Sequence, residues 1–124
     1  MRLAIFENQF MNIKSSFDAL NLIHFNNDAE FKVFETSQDV SDYNSLSEYD
    51  FILVDLDLSA KSKLDGYDII LKLHELNIPK NKIFIITGHK FIDNKLKEKG
   101  LLGTSIIQKP IELSKLEKSF SLKT

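Results

Sequence analysis

Cysteine and tryptophan are absent from the 124 residues, proline occurs twice and glycine four times. Without cysteine there is no disulfide framework, no thiolate metal centre and no cysteine nucleophile. No Gly-rich loop follows the first apolar run, which argues against a nucleotide or flavin binder built on a phosphate-cradling turn. Long apolar stretches are missing too: the longest unbroken runs, such as Phe51-Ile52-Leu53-Val54 and Ile83-Phe84-Ile85-Ile86, are four residues. A membrane span takes about 20 residues and a secretory core about 7–15 behind a basic start. Charge is balanced, with sixteen Lys and Arg against eighteen Asp and Glu for a net −2. A nucleic-acid binder usually carries a domain-scale basic excess. These absences predict a soluble, cytoplasmic chain with neither membrane nor nucleic acid as partner.

What is present suits one folded unit, since domains commonly run to roughly 100–150 residues. A hydrophobic fraction of 43% and a charged fraction of 27% argue against disorder. Short apolar runs alternate with amphipathic stretches. Leu3–Phe6 reads as a buried strand, and Phe10, Ile13, Phe17 and Leu20 then recur at helical steps. Phe31–Phe34 is a second strand, less purely apolar and so placed near an edge. Val40, Tyr43 and Leu46 mark a weak helix within the polar stretch from Ser37 to Tyr49. Phe51–Val54 is a third strand, apolar throughout as a doubly covered strand should be. Gly66 leads into a helix with Ile69, Ile70, Leu73 and Leu76 inward, ended by Pro79. Ile83–Ile86 is the fourth strand, Phe91–Lys99 a helix stopped by Gly100, and Ser105–Ile107 the fifth strand. Pro110 opens a last helix buried through Leu113, Leu116 and Phe120.

Five strands alternating with five helices predict an α/β fold, (βα)5 around a five-stranded parallel sheet, with residues 1–124 as one domain. In an open α/β sheet the working site lies beyond the carboxyl ends of the strands. Those ends carry Glu7-Asn8, Asp55 followed by Asp57, Thr87-Gly88 and Lys109-Pro110. Carboxylates, a hydroxyl and an ammonium on one edge suit a hard divalent cation, above all Mg²⁺. The hydroxyl and the lysine can hold phosphoryl oxygens, and a carboxylate can attack phosphorus to form an acyl phosphate.

With these residues in this order, the chain resembles the response-regulator receiver domains. The likeness rests on Glu7-Asn8, on Asp55 in Phe-Ile-Leu-Val-Asp-Leu, on Asp65-Gly66, on Thr87 in Ile-Ile-Thr-Gly and on Lys109-Pro110 in Ile-Ile-Gln-Lys-Pro. It implies a flavodoxin-like three-layer sandwich with strand order 2-1-3-4-5. It implies that Asp55 accepts a phosphoryl group from a sensor histidine kinase or histidine phosphotransfer protein. Glu7, Asn8, Asp55 and the backbone carbonyl of Asp57 would hold Mg²⁺, Thr87 would bond a phosphoryl oxygen, and Lys109 would pair with Asp55 and then with the phosphoryl group. The Lys109–Pro110 peptide would be cis. Signalling would pass through protein contacts, to a downstream target or a second copy of the chain, with Phe91, Leu101 and Leu102 on the docking face. Such a domain is not a turnover enzyme, and at most dephosphorylates itself slowly; His89 and Asp57 stand where the family tunes that hydrolysis.

Three departures count against this expectation. Asn8 stands where the family carries a metal-binding Asp, so one formal charge is missing. The loop from Asp57 to Asp65 is about three residues longer than usual and has Ser59 in place of proline, which predicts a mobile loop with Lys61 and Lys63 near the site. Ile106 occupies the position of the aromatic ring that reports phosphorylation. Asn8 and Ile106 favour an alternative, a degenerate receiver serving as a phosphorylation-independent interaction or dimerisation module. Plainer roles also exist: Asp55 as a helix cap or ion-pair partner of Lys109, Glu7 and Asn8 as caps, Asp65 as an N-cap, and His89 as an exposed loop residue. No role is read for His24 or His74.

Overall fold

The computed structural model describes residues 1–123; Thr124, the last residue of the expected domain, lies outside the described residues. The strands are β1 (Arg2–Phe6), β2 (Glu30–Phe34), β3 (Phe51–Asp55), β4 (Ile83–Thr87) and β5 (Ser105–Gln108). The helices are α1 (Lys14–Phe25), α2 (Gly66–Glu75), α3 (Asp93–Glu98) and α4 (Leu113–Ser119). All strand pairs are parallel and the sheet order is β2-β1-β3-β4-β5, as the resemblance implies. β2 is an edge, in keeping with its mixed pattern.

Because successive strand side chains point to opposite faces, the sheet builds two cores. On one face Ala4, Phe6, Ile52, Val54 and Ile85 meet Ile69, Ile70 and Leu73 of α2 and Leu96 of α3. On the other, Leu3, Ile5, Leu53, Phe84 and Ile86 meet Phe17 and Leu20 of α1, Leu116 of α4 and Phe120 just past its end. Each such side chain stabilises by about 1.5–3 kcal/mol when fully withdrawn from water. On the second face His24 and Glu117 also meet, His24 Nε2 lying 2.6 Å from Glu117 Oε2 with both side chains nearly buried. This pair joins α1 to α4 across 93 residues of sequence. Among the described residues no helix is long and apolar enough to cross a membrane.

Four expectations are corrected. Ser37–Tyr49 is not an α-helix but two 3₁₀ pieces, Ser37–Asp39 and Tyr43–Glu48. Its short polar side chains satisfy the backbone locally: Thr36 N–H donates to Asp39 Oδ2 (3.0 Å), Asn44 N–H to Asp42 Oδ1 (3.0 Å), and the Ser45 and Ser47 hydroxyls to carbonyls three residues back. Such bonds compete with the i→i−4 ladder. The last helix begins at Leu113, three residues beyond Pro110 and after Ile111 has entered the core; the Lys109–Pro110 peptide is cis. Phe91 lies outside α3, at φ +60°, and is 97% exposed, whereas Leu101, expected on a docking face, is fully buried.

The fourth correction concerns the loop after β3. It is laced to the segment after β2 rather than hanging free: Ser37 N–H donates to Ser62 Oγ (2.8 Å), the Gln38 amide donates to Lys61 O (2.7 Å), and Lys63 N–H donates back to Gln38 Oε1 (3.0 Å). Leu64 N–H donates to Ser37 Oγ at 2.9 Å. The loop ends in Asp65, whose Oδ1 caps α2 by accepting from Asp68 N–H (2.9 Å).

Gly66 then brings α2 against the end of β3 with no room to spare. A Cβ there would lie 2.4 Å from Asp55 O and 2.6 Å from Leu56 Cα. Overpacking of this kind against backbone costs about 1–3 kcal/mol. Gly66→Ala is therefore expected to lower the unfolding free energy by about 1–3 kcal/mol, read from urea unfolding followed by circular dichroism; an unchanged midpoint would show that α2 shifts freely.

Candidate functional site

The site is built where three apolar strands run out of side chains to bury and end in polar ones. β1 ends at Phe6, and Glu7 follows with no exposed surface; β3 ends in Asp55, 2% exposed; β4 ends in Thr87, also fully buried. Lys109 follows β5 and reaches past the end of β4. Its Nζ lies 2.8 Å from Asp55 Oδ2 and 2.9 Å from Glu7 Oε2. The remaining carboxylate oxygens are held by backbone. Asp55 Oδ1 accepts from Asp57 N–H at 2.8 Å, and Glu7 Oε1 from Gln9 N–H at 2.9 Å.

Two buried carboxylates thus share one ammonium, and their ionisation is driven apart. Burial pushes the Glu7 carboxyl up, and its contact with Asp55 pushes it further, against the pull of Lys109 and the Gln9 N–H. Burial opposes ionisation of Asp55 as well, but hydrogen bonds from Glu7, Lys109 and the Asp57 N–H outweigh it and hold this carboxyl below its ordinary value. For Lys109 burial works downward, and the two carboxylates more than reverse it. Of the two, Asp55 is the more acidic.

Around this centre stands a second layer. Thr87 Oγ1 accepts from His89 N–H (3.0 Å), and Lys109 N–H donates to Thr87 O (2.8 Å). The Gln108 amide donates to both Thr87 O (3.0 Å) and His89 O (3.1 Å), pinning the loop after β4. Lys115 donates to the carbonyls of Gln108 and Pro110, both at 2.9 Å. At the rim His89 Nε2 meets Asp57 Oδ2 at 2.7 Å, both side chains more than half exposed. Sequence reasoning missed Gln108 and Lys115, whose polar heads act on backbone carbonyls, and it did not foresee Glu7 as a direct partner of Lys109. It also passed over His24, because no periodicity distinguishes a paired histidine from an exposed one.

Asn8 is half-buried and lines a neighbouring depression with Gln9, Phe10, Met11, Val33 and Glu35. Ile106 is exposed on β5. Among the described residues no three His, Asp or Glu side chains form a metal-holding group. The available donors are the Glu7 and Asp55 carboxylates, the Asn8 amide and the Asp57 carbonyl, all hard oxygens. With one ammonium between them the two carboxylates leave one negative charge to balance when both are ionised. That donor set fits a hydrated Mg²⁺, which takes one or two carboxylates and retains water.

No protein-family model matches the chain, and no curated protein matches it in sequence. Solved structures do. The signal receiver domain of a DNA-binding response regulator from Colwellia psychrerythraea superposes with a TM-score of 0.73 at 20% identity, over 98% of this chain and 95% of that one. The chemotaxis protein CheY4 of Vibrio cholerae gives 0.70 at 13% identity, over 97% and 95% of the two chains. A CheY-like receiver domain protein from Methanospirillum hungatei gives 0.68 at 18% identity, over 97% and 90%. The chain has the receiver-domain fold.

The opposed shifts of the two carboxyls make a pH prediction. A carboxyl raised in the folded state stabilises fully below its unfolded value, 4.5 for Glu7, and that contribution is lost as pH rises through the folded value. Asp55, lowered from 3.8, contributes above that value and loses it as pH falls. Relative to Glu7→Gln, the parent should therefore lose stability as pH rises above about 4.5 in chelator. Urea unfolding at several pH values checks this; a constant difference between the two proteins would refute it.

Proposed function

We propose that this chain is a phosphoacceptor receiver of a two-component or phosphorelay system, with Asp55 as the acceptor and residues 1–124 acting as one receiver domain. The observation that carries the proposal is the setting of the Asp55 carboxylate, held 2.8 Å from Lys109 Nζ at the carboxyl end of the central strand, with its carboxyl lowered below the ordinary value while that of Glu7 beside it is raised. An ionised carboxylate in a pocket with a single cation is a competent nucleophile.

In the transfer, an Asp55 oxygen forms a bond to phosphorus as the N–P bond of a phosphohistidine breaks. The bonding pair returns to the imidazole nitrogen of the donor, a sensor histidine kinase or histidine phosphotransfer protein. Lys109 follows the charge from the carboxylate to the phosphoryl oxygens while keeping Glu7 as its second partner. Thr87 supplies a hydroxyl from the neighbouring strand end. Glu7, Asn8, Asp55 and the Asp57 carbonyl would hold Mg²⁺, which supplies charge neutralisation of the phosphoryl oxygens.

The modified side chain carries about −1.5 to −2 charge by analogy with other phosphorylated residues. Drawing Thr87 and Lys109 toward it disturbs the carbonyls that Gln108 brackets, and with them the loop bearing His89 and Phe91. With Ile106 in place of a ring, this loop is the route by which a downstream protein, or a second copy, would read the change. The role is signalling in the cytoplasm rather than turnover, with slow self-dephosphorylation beside the Asp57–His89 pair. A second reading, a phosphorylation-independent interaction module, is favoured by Asn8 lining a separate depression and by the outward Ile106.

Incubation with a small phosphoramidate donor and Mg²⁺ should add one phosphoryl mass to the parent and none to Asp55→Asn, read by intact mass spectrometry. Beryllofluoride with Mg²⁺ should shift the amide resonances of residues 87–92 only in the parent. Silence in both measurements at saturating Mg²⁺ would refute phosphoacceptance and leave the interaction module.

A further inference from the structure

The segment after β2, the laced loop after β3 and helix α2 border an open depression of about 400 Å³, away from the Asp55–Lys109 contact. Its wall is already hydrogen-bonded to itself. Ser37 Oγ accepts from Leu64 N–H and donates to Gln38 Oε1 (3.2 Å), and the Tyr43 hydroxyl donates to Ser37 O (2.6 Å). Lys63, Lys72 and Ser41 also line it. No carboxylate lines the depression, and among the described residues none forms an ion pair with either lysine. Lys72 is nonetheless fixed in place. Its Nζ sits 4.4 Å from the centre of the Tyr43 ring, which is itself stacked on Phe6. An ammonium parked on an aromatic face keeps its charge available at a defined point.

Two unpaired cations over a rigid polar floor, in a volume within the range of small-ligand sites at about 300–1,000 Å³, call for a compact, multiply charged anion. We propose that this depression binds a small phosphate-bearing ligand, its phosphoryl oxygens held between Lys63 and Lys72 with Ser41 donating a hydrogen bond. The site owes its existence to two features of this chain, the longer loop that contributes Lys63 and the unwound segment that contributes Ser41 and Tyr43. It does not rest on phosphoacceptance by Asp55.

The test is titration of inorganic pyrophosphate into the ¹⁵N-labelled full chain without Mg²⁺, at constant ionic strength set by KCl. Saturable shifts are expected at the amides of residues 37–43, 63, 64 and 72, in the parent and equally in Asp55→Asn. Lys63→Met and Lys72→Met should each weaken binding about tenfold, with spectra elsewhere superimposable because both side chains are exposed. Lys72→Arg should retain binding. The absence of saturable shifts at these amides, undiminished affinity in both Met variants, or shifts centred on Lys109 would overturn the proposal.

Discussion

The contact of Lys109 with Glu7 and Asp55 is the constraint around which the carboxyl edge of the sheet is organised. Two carboxylates at the ends of adjacent strands, both withdrawn from water, repel each other and lose hydration together. One ammonium arriving from β5, beyond the intervening β4, gives both a partner at under 3 Å. Three chain segments separated by 54 and 102 residues from Lys109 or to it are thereby held in register at one point. The supporting bonds act on the same point: Lys109 N–H on Thr87 O, Gln108 on the loop after β4, and Lys115 on the carbonyls either side of Lys109. The asymmetry between the carboxyls follows from this sharing. Each carboxylate takes Lys109 and one backbone N–H, and their contact with each other lowers Asp55 while it raises Glu7.

The strands and the placement of the site were legible in the sequence because both depend on short-range patterns. Four-residue apolar runs specify buried strands almost by themselves, and the residue just past each run falls at the sheet edge. Asp55, Thr87 and Lys109 were found in that way. The segment from Ser37 to Tyr49 was misread because Val40, Tyr43 and Leu46 keep a helical spacing while the side chains of their neighbours Asp39, Asp42, Ser45 and Ser47 bond the local backbone. Periodicity registers burial, not the competition for hydrogen bonds. The lacing of Gln38 to Lys61 and Lys63 was invisible for another reason. It joins residues about 25 apart through a side-chain amide, and no single-chain pattern marks such a partner.

That lacing alters the character of the fold on one flank. A helix in this position would present a regular surface; here two 3₁₀ turns and a strap interlock through side chains of serine and glutamine. Val40 and Leu46 anchor that flank in the apolar core beside Phe6, which stacks on Phe34 at 5.1 Å, and directional bonds order its surface. The other face of the sheet has stacked rings of its own, Phe51 on Phe120 at 4.5 Å and Phe84 edge-on to Phe120. Both faces of the sheet are apolar, and the polar lacing is confined to the rim of one.

The near-buried pairing of His24 with Glu117 has a kinetic meaning. Helix α1 is made early along the polypeptide and α4 late, so this contact closes one of the longest loops in the molecule. Closing a loop of that length costs conformational entropy that grows only slowly with its span, and contacts between residues so distant in sequence slow folding as their share of the topology rises. The imidazole and the carboxylate thus tie the first helix to the last at a modest entropic cost, a clasp between the two ends of one helical layer.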